Sequence, residues 1–422
     1  MVKTPTVSII GGTIWGNRGA ESMLTTTIGV IRESFPEAKF YMFSYYPGKD
    51  RSLITDENIH VLSCKPLSLL TRHFMAAFLA ALLRALGLKV PQSSFFRITN
   101  ALLESDMLLD VGGITFSDGR EKFLPFNVLT LWPALLLKVP VVKLAQAVGP
   151  FKHWPIRLSA QLFLTRCRYI FARGEKTAEF LVDLGYPREK WTTVADVAFL
   201  YKPEYTLSSE NDMTVDELVA RLGSIGKKII VISPSILVEK QSAQKGLDYK
   251  EKFFSIIREL GVKDFHYVFI PNATREGSDQ SHNNDLITLR NMRQFAENGG
   301  LPAESLASIE WVMLDVNTAS IRRIISQADV LVTSRYHAMI SGLCLAVPTV
   351  VIGWGHKYKE TMDYFELGDY SLDFENKGLD LVDILKRALD DQAVIHEQIL
   401  SHSGTVRQKA QSQFDFLKRE LA

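Results

Sequence analysis

Short apolar runs rich in valine and isoleucine alternate along this chain with stretches whose apolar residues recur at helical spacing. Val7-Ser-Ile-Ile10 is one such run; it ends in Gly11-Gly12, and the residues from Ala20 to Phe35 then follow a helical period. The pattern recurs, with strands predicted at Lys39–Phe43, Met107–Val111, Val139–Leu144, Tyr169–Ala172 and Thr192–Val194, and helices at Trp154–Cys167 and Glu175–Leu184. Gly185 is the expected stop of the last of these, because glycine accepts the left-handed backbone that closes a helix. The polar, aperiodic stretch Lys202–Met213 reads as a linker, and Thr214-Val-Asp-Glu217 has the spacing of a capping box that opens a new unit. Beyond it, strands are expected at Lys228–Ser233, His266–Ile270, Trp311–Leu314, Val330–Thr333 and Thr349–Ile352, with helices at Tyr249–Leu260 and Ser320–Gln327. Such alternation predicts parallel sheets, hence an α/β fold of two Rossmann-like doubly wound domains, residues 1–205 and 214–422, the second ending in helices. Their strand-end loops would face a central cleft, which is where parallel sheets bind ligands.

Composition narrows the chemistry. With 422 residues the chain exceeds one ordinary core, and 48 basic against 47 acidic side chains leave no overall field to attract nucleic acid. The three cysteines, Cys64, Cys167 and Cys344, are widely spaced, which argues against a disulfide framework or a zinc site and fits a reducing compartment. A strand follows the N-terminus without a secretory signal pattern, so the expected location is cytoplasmic. One segment stands apart: Phe74–Leu83 is wholly apolar and flanked by Arg72, His73 and Arg84. As a ten-residue stretch it is too short to span a bilayer and reads as a core helix or as one touching the inner face of a membrane.

Five strand-end loops hold the residues suited to chemistry. The first, Gly11 to Glu21, joins strand to helix, where free amides and the helix dipole attract anions, or is simply a tight turn that needs its glycines; it is neither GxGxxG nor a Walker loop. The second, Asp110 to Gly119, offers Asp118 to orient a sugar hydroxyl, or simply to hold its own turn. In the third region Arg173 ends a buried strand and could fork onto a carboxylate or phosphate, or pair with Glu175 or another loop. The fourth, Ser334-Arg335-Tyr336-His337, sets a planar cation and a titratable imidazole at a helix mouth, which suits an anionic substrate that must be protonated. The fifth, from Gly353, carries Lys357 as a point charge for phosphate and Trp354 or Tyr358 as a sugar-stacking face, while His356 and Lys359 read as solvated. No nucleophile elbow, His-Glu-x-x-His helix or close carboxylate cluster stands in the sequence, and no metal is expected.

Taken in order, Gly-Asn-Arg-Gly-Ala-Glu, Gly-Gly-x-x-Phe-Ser-Asp, Gln-Ala-Val-Gly-Pro-Phe, Ala-Arg-Gly-Glu-Lys-Thr, Ser-Arg-Tyr-His-Ala and Val-Pro-Thr-Val-Val-Ile resemble the polysaccharide pyruvyl transferase family over roughly residues 7–370. The resemblance implies a glycosyltransferase-B-like fold and transfer of a pyruvate ketal from phosphoenolpyruvate to a sugar of a cell-surface polysaccharide or its lipid-linked precursor, with release of phosphate. It places the family's Arg-x-His pair on Arg335 and His337, expected to be catalytic, and its early strand-end arginine on Arg173. With the loop readings above, donor binding is expected of Arg173, Arg335, Lys357 and Ser334, acceptor contacts of Asn17, Glu21 and Asp118 in the N-terminal domain, and phosphoenolpyruvate would be the co-substrate with no other cofactor. This chain departs from the family pattern in having Pro271-Asn272 where members often have Pro-His, and Gly174-Glu175 where aspartate often follows the early arginine. The chemistry agrees on its own terms: a carboxylate and a phosphate call for arginine forks, and the methylene carbon for an acid titrating near neutrality. Two other readings remain open at this point. One is a nucleotide-sugar glycosyltransferase of the same architecture, with Glu360 its nearest ribose-binding candidate; the other is an inactive carbohydrate-binding relative.

Overall fold

The structure is a computed structural model that describes residues 4–208, 213–275, 283–353, 356–374 and 380–422. It divides into two compact units, one of Met1–Ile14, Ala20–Ser208 and Arg407–Ala422, the other of Trp15–Gly19 and Ser209–Val406.

The first unit is built on strands β1 (Thr6–Ile10), β2 (Lys39–Ser44), β3 (Ile59–Ser63), β4 (Met107–Asp110), β5 (Ile114–Thr115), β6 (Val141–Val148), β7 (Tyr169–Arg173) and β8 (Trp191–Val194). Their order is β3-β2-β1-β4-β6-β7-β8, with β5 paired to β6. The second unit has β9 (Lys228–Ser233), β10 (Phe265–Phe269), β11 (Ile309–Trp311), β12 (Val330–Thr333), β13 (Thr349–Gly353) and β14 (Ser371–Asp373), in the order β11-β10-β9-β12-β13-β14. Every registered strand pair among the described residues is parallel. The central strands β4 and β12 are buried along their whole length, so they read as continuous apolar runs with no alternation. Two units of parallel sheet confirm the predicted α/β class.

The helices that matter below are α1 (Arg18–Ser34), α2 (Phe74–Ala85), α3 (Leu124–Leu136), α4 (Trp154–Phe163), α5 (Glu175–Asp183), α6 (Tyr249–Leu260), α7 (Asp285–Phe295), α8 (Thr318–Ile325), α9 (Tyr336–Cys344) and α10 (Gln392–Leu421). Helix α5 ends as expected: Gly185 has φ +76°, its amide donates to Val182 and that of Tyr186 to Leu181.

Four expectations change. The capping box is displaced, because the second unit's first helix already begins at Met213 and Thr214 lies within its first turn; Ser209 to Asp212 of the expected linker lie outside the described residues. The edge strand β3 was not expected, since His60 interrupts its apolar pattern by pointing outward between buried Ile59 and Val61. The domain limits also differ. From Arg407 onward α10 belongs with the first unit, because buried Gln413 accepts the Ala145 amide (2.9 Å) and donates to the Ala195 carbonyl (3.0 Å), while Phe416 packs on Tyr169. An uninterrupted helical period carries no sign of such a change of unit. Lastly, the apolar segment is longer than ten residues. Pro66–Ala85 is one helical stretch of 20 residues, with a wider π turn over Leu69–His73, and is long and apolar enough to cross a membrane by length and composition.

Candidate active site

In both units the strand order reverses at one point, between β1 and β4 in the first and between β9 and β12 in the second. Loops leaving the carboxyl ends on either side of such a reversal diverge and open a crevice.

In the first unit, β4 delivers Asp110 to this point, and its partner in register on β6 is Lys143, a fully buried lysine in a strand whose only other polar residue is Gln146. The two form an ion pair, which is how a charge is accommodated there. Gly11 follows β1 with φ +87°; a Cβ on it would lie 2.5 Å from the Gly112 nitrogen and 2.9 Å from an Asp110 oxygen, so only glycine lets the two loops meet. Gln146 bonds the carbonyls of Gly112 and Asp110 (3.2 Å) and accepts from the Thr115 hydroxyl (2.8 Å).

Arg173, at the end of β7, donates to Asp196 (2.6 Å) and to the Gly113 carbonyl (2.9 Å). Its ion-pair partner is therefore Asp196 and not Glu175, and the guanidinium ties the glycine loop to β8. Glu21 is buried in the first turn of α1, where the helix dipole favours a carboxylate. Asp118 accepts the backbone amides of Lys152 (2.7 Å) and His153 (3.2 Å), while Glu121 contacts the His153 ring (2.7 Å). These three are the metal-type ligands that the described residues gather within 4.8 Å, but their atoms already clasp the loop. Asp118 thus holds its own turn, the simpler of its two readings.

The second unit's crevice contains the stronger chemistry. Ser334 and Arg335 follow β12, and Arg335 stands at the position just before α9 without a side-chain bond to the helix amides. The Arg335 guanidinium is buried, forms an ion pair with Asp285 at the start of α7, and donates to Asn283 (2.7 Å). Asp285 is in turn fixed by the backbone amides of Ile236 (3.1 Å), Asn272 (3.1 Å) and Ala273 (2.9 Å). A carboxylate held by three amides cannot swing, so the fork it holds is oriented before any ligand arrives. Ser334 accepts from the buried Tyr249 hydroxyl (2.8 Å), whose titration is pushed well up, first by burial. Tyr358 donates to the Ser334 carbonyl (3.0 Å), and Lys357 lies 5.1 Å from the ring centres of both Tyr336 and Tyr358. Tyr358 is therefore buried against the backbone and offers no open stacking face. Trp354, the other candidate for that role, and the His356 side chain lie outside the described residues.

The segment Trp15–Gly19, expected on the N-terminal side, belongs to this second unit. The Arg18 amide donates to the Asn272 carbonyl (3.1 Å), Thr318 on α8 donates to the Arg18 carbonyl (3.1 Å), and the Arg18 side chain reaches Asp315 (3.5 Å). Asn17, which accepts the Gly19 amide (3.1 Å), sits with this group and not with Glu21 and Asp118. Gly19 faces His337 so closely that a Cβ would lie 2.2 Å from the ring Nδ1. The guanidinium of buried Arg275 stands over the Trp15 ring (5.8 Å). Of the expected residues, then, Asn17, Ser334, Arg335, His337 and Lys357 share the second unit, and Glu21, Asp118 and Arg173 the first. Arg18, Arg275 and Asp285 were missed. A signal existed for Asp285, an acidic residue opening a helix straight after a polar strand-end loop.

The two parallel-sheet units define the class: an α/β protein of glycosyltransferase-B-like architecture. Its solved structural relatives include S. aureus MnaA with UDP (TM-score 0.55, 13% identity, covering 94% of this chain and 91% of that one). Anabaena HepE with UDP (TM-score 0.57, 13% identity, 98% and 100%) and the Neisseria meningitidis UDP-GlcNAc 2-epimerase bound to UDP-GlcNAc (0.54, 12%, 98% and 100%) are also similar. At such identities they speak for the fold. The polysaccharide pyruvyl transferase family model matches residues 17–356, and the chain belongs to that family. The amylovoran biosynthesis protein AmsJ of Erwinia amylovora is 22% identical over 383 residues, covering 88% of each chain. The protein is accordingly a transferase of polysaccharide biosynthesis.

Proposed function

We propose that this chain transfers the pyruvyl group of phosphoenolpyruvate to two hydroxyls of one sugar in a cell-surface polysaccharide or its lipid-linked precursor, forming a ketal and releasing phosphate. The observation carrying this reading is the pairing of Arg335 and His337 at the mouth of α9, with Arg335 braced by Asp285 and His337 lodged against Gly19.

Protonated His337 gives its proton to the donor's methylene carbon, which becomes the methyl group. The carbon bearing the phosphate then carries oxocarbenium character and accepts one sugar hydroxyl; phosphate leaves, and the second hydroxyl closes the ketal. The two hydroxyl protons balance the one gained by the methyl group and the one carried away on phosphate. Arg335, Arg18, Arg275 and Lys357 concentrate positive charge in the same unit, against Asp285 and Asp315, which favours a donor bearing a carboxylate and a phosphate. Among the described residues, the buried Arg335 Nε has no hydrogen-bond partner, so the guanidinium retains a donor for an anion. Asn17 is the acceptor contact nearest this group in sequence and in unit. Arg173, Glu21 and Asp118 act on the acceptor side by shaping the first unit's loops.

The test is to incubate the purified protein with phosphoenolpyruvate and candidate glycans, following phosphate release and the glycan's mass. Phosphoenolpyruvate should also protect against thermal unfolding more than UDP-, GDP- or CMP-sugars do. Greater protection by a nucleotide sugar, with no phosphate release from phosphoenolpyruvate, would replace this reading by a glycosyltransferase.

A further inference from the structure

The 20-residue helix Pro66–Ala85 is amphipathic in an unusual sense. Its inward face is formed by Leu69, His73, Ala76, Ala77 and Ala80, while Leu67, Leu70, Met75, Phe78, Leu79 and Leu82 are exposed. Phe78 is 50% exposed, Leu82 49% and Leu67 73%. A soluble core helix shows the reverse, because burying the larger side chains releases more water. The face continues beyond this helix. Phe74 packs on Trp132 of α3 (4.5 Å), and Trp132 on Phe163 of α4 (5.4 Å). Helix α3 carries no charged residue, and α4 exposes Trp154, Leu158 and Leu162 at successive turns of one side.

Charge completes the picture. From Asn58 to Leu103 there is no acidic residue, whereas Lys65, Arg72, Arg84, Lys89 and Arg97 all lie in that stretch. Among the described residues none of these five forms an ion pair. At the N-terminal end of the helix, Arg51, Arg72 and Arg97 line a cavity of about 200 Å³ together with His73. A protein partner of matching shape would be expected to meet at least some of these cations with acids already in the interface, as α10 meets Arg168 through Glu420. Glu104 lines a groove with Arg97, and Glu121 meets His153 beside Trp154, but along Pro66–Ala85 itself exposed apolar side chains next to cations that form no ion pair match the interface of a negatively charged lipid layer.

We infer that this face of the first unit docks onto the surface of an anionic phospholipid bilayer. Phe78, Leu79 and Leu82 enter the acyl boundary, and Arg51, Arg72 and Arg97 meet lipid phosphates. The helix lies along the interface and does not cross it, because its alanine face and Arg84, which donates to the Leu137 carbonyl (3.2 Å), are part of the unit's packing. The inference does not depend on the identity of the donor.

The experiment is flotation of the full chain with vesicles of phosphatidylcholine and with vesicles containing ~30% phosphatidylglycerol, at low and high salt. Wild type should float with the anionic vesicles, and high salt should reduce this without abolishing it. Phe78→Glu with Leu82→Glu should weaken partition ~10-fold or more, and Arg72→Gln with Arg97→Gln should remove most of the preference for anionic lipid. Sedimentation velocity without lipid, and thermal unfolding of every variant, accompany the assay. Wild type that stays at the bottom of the gradient under all conditions overturns the inference. So does a lipid-independent dimer that Phe78→Glu dissociates, which would make the face a contact between copies.

Discussion

Gly19→Ala tests whether the placement of the His337 ring matters. Gly19 lies in the first turn of α1, where alanine is intrinsically the better residue by about 0.5–1 kcal/mol. The structure reverses that preference. A Cβ at this position would stand 2.2 Å from His337 Nδ1, 2.7 Å from Cγ and 2.9 Å from Cε1, so it overlaps the ring itself. Ordinary contact begins near 3.4 Å, and the imidazole must therefore retreat by about 1 Å or leave its rotamer. Overpacking of this kind costs about 1–3 kcal/mol of stability. A displacement of about 1 Å in a proton donor costs roughly 10²-fold in turnover, because the proton must travel along a defined line. The assay is phosphate release from phosphoenolpyruvate at saturating acceptor, normalised to folded protein, with thermal unfolding alongside. Gly29→Ala is the control: its Cβ would meet the Tyr205 ring at the same 2.2 Å, within the first unit, and should lower stability with turnover per folded molecule preserved. If Gly19→Ala keeps turnover within about 3-fold of wild type while remaining folded, the ring's position against Gly19 has no bearing on catalysis and the reasoning fails.

His337→Ala should lower turnover by about 10²–10⁴-fold with donor affinity largely kept, whereas Arg335→Lys, which loses the fork, should weaken donor binding too; calorimetry paired with steady-state rates separates the two. Lys143→Met leaves buried Asp110 without its partner and should destabilise by about 3–5 kcal/mol in urea unfolding, and adding Asp110→Leu should recover much of the loss. His73 is held neutral, its pKa pushed down to about 4 by burial and, secondarily, by Arg72. As pH falls from about 6.5 towards 4 the unfolded chain binds a proton that the folded chain does not, so stability is lost across that window. Melting temperature should therefore fall more steeply with acidification in wild type than in His73→Leu, and parallel profiles would show that His73 is not the responsible group.

Fold class and part of the candidate site, Arg335 and Lys357 but not Arg18 or Arg275, were legible in the sequence because they rest on local rules. Buried parallel strands are continuous apolar runs, helices keep their period, and glycines follow strands where loops must turn, so Lys228–Ser233, Val330–Thr333 and Tyr249–Leu260 stand where periodicity puts them. Ser334, Arg335 and His337 could be found because a strand end followed at once by a helix brings side chains and free amides together within a few residues. Tertiary structure decided what depends on partners distant in sequence. It matched Arg173 with Asp196 and not Glu175, and Arg335 with Asp285, fifty positions away. It assigned Trp15–Gly19 to the second unit and the end of α10 to the first, since a hydrogen bond from Thr318 to Arg18 or from Gln413 to Ala195 leaves no trace in either segment's own pattern. Likewise an apolar run shows that a helix will seek a nonpolar surrounding, but only packing determines that alanines fill the inner face of Pro66–Ala85 and leave Phe78 and Leu82 outside. Local period limits each element to one shape, whereas the choice of neighbours is made by the whole chain closing on itself.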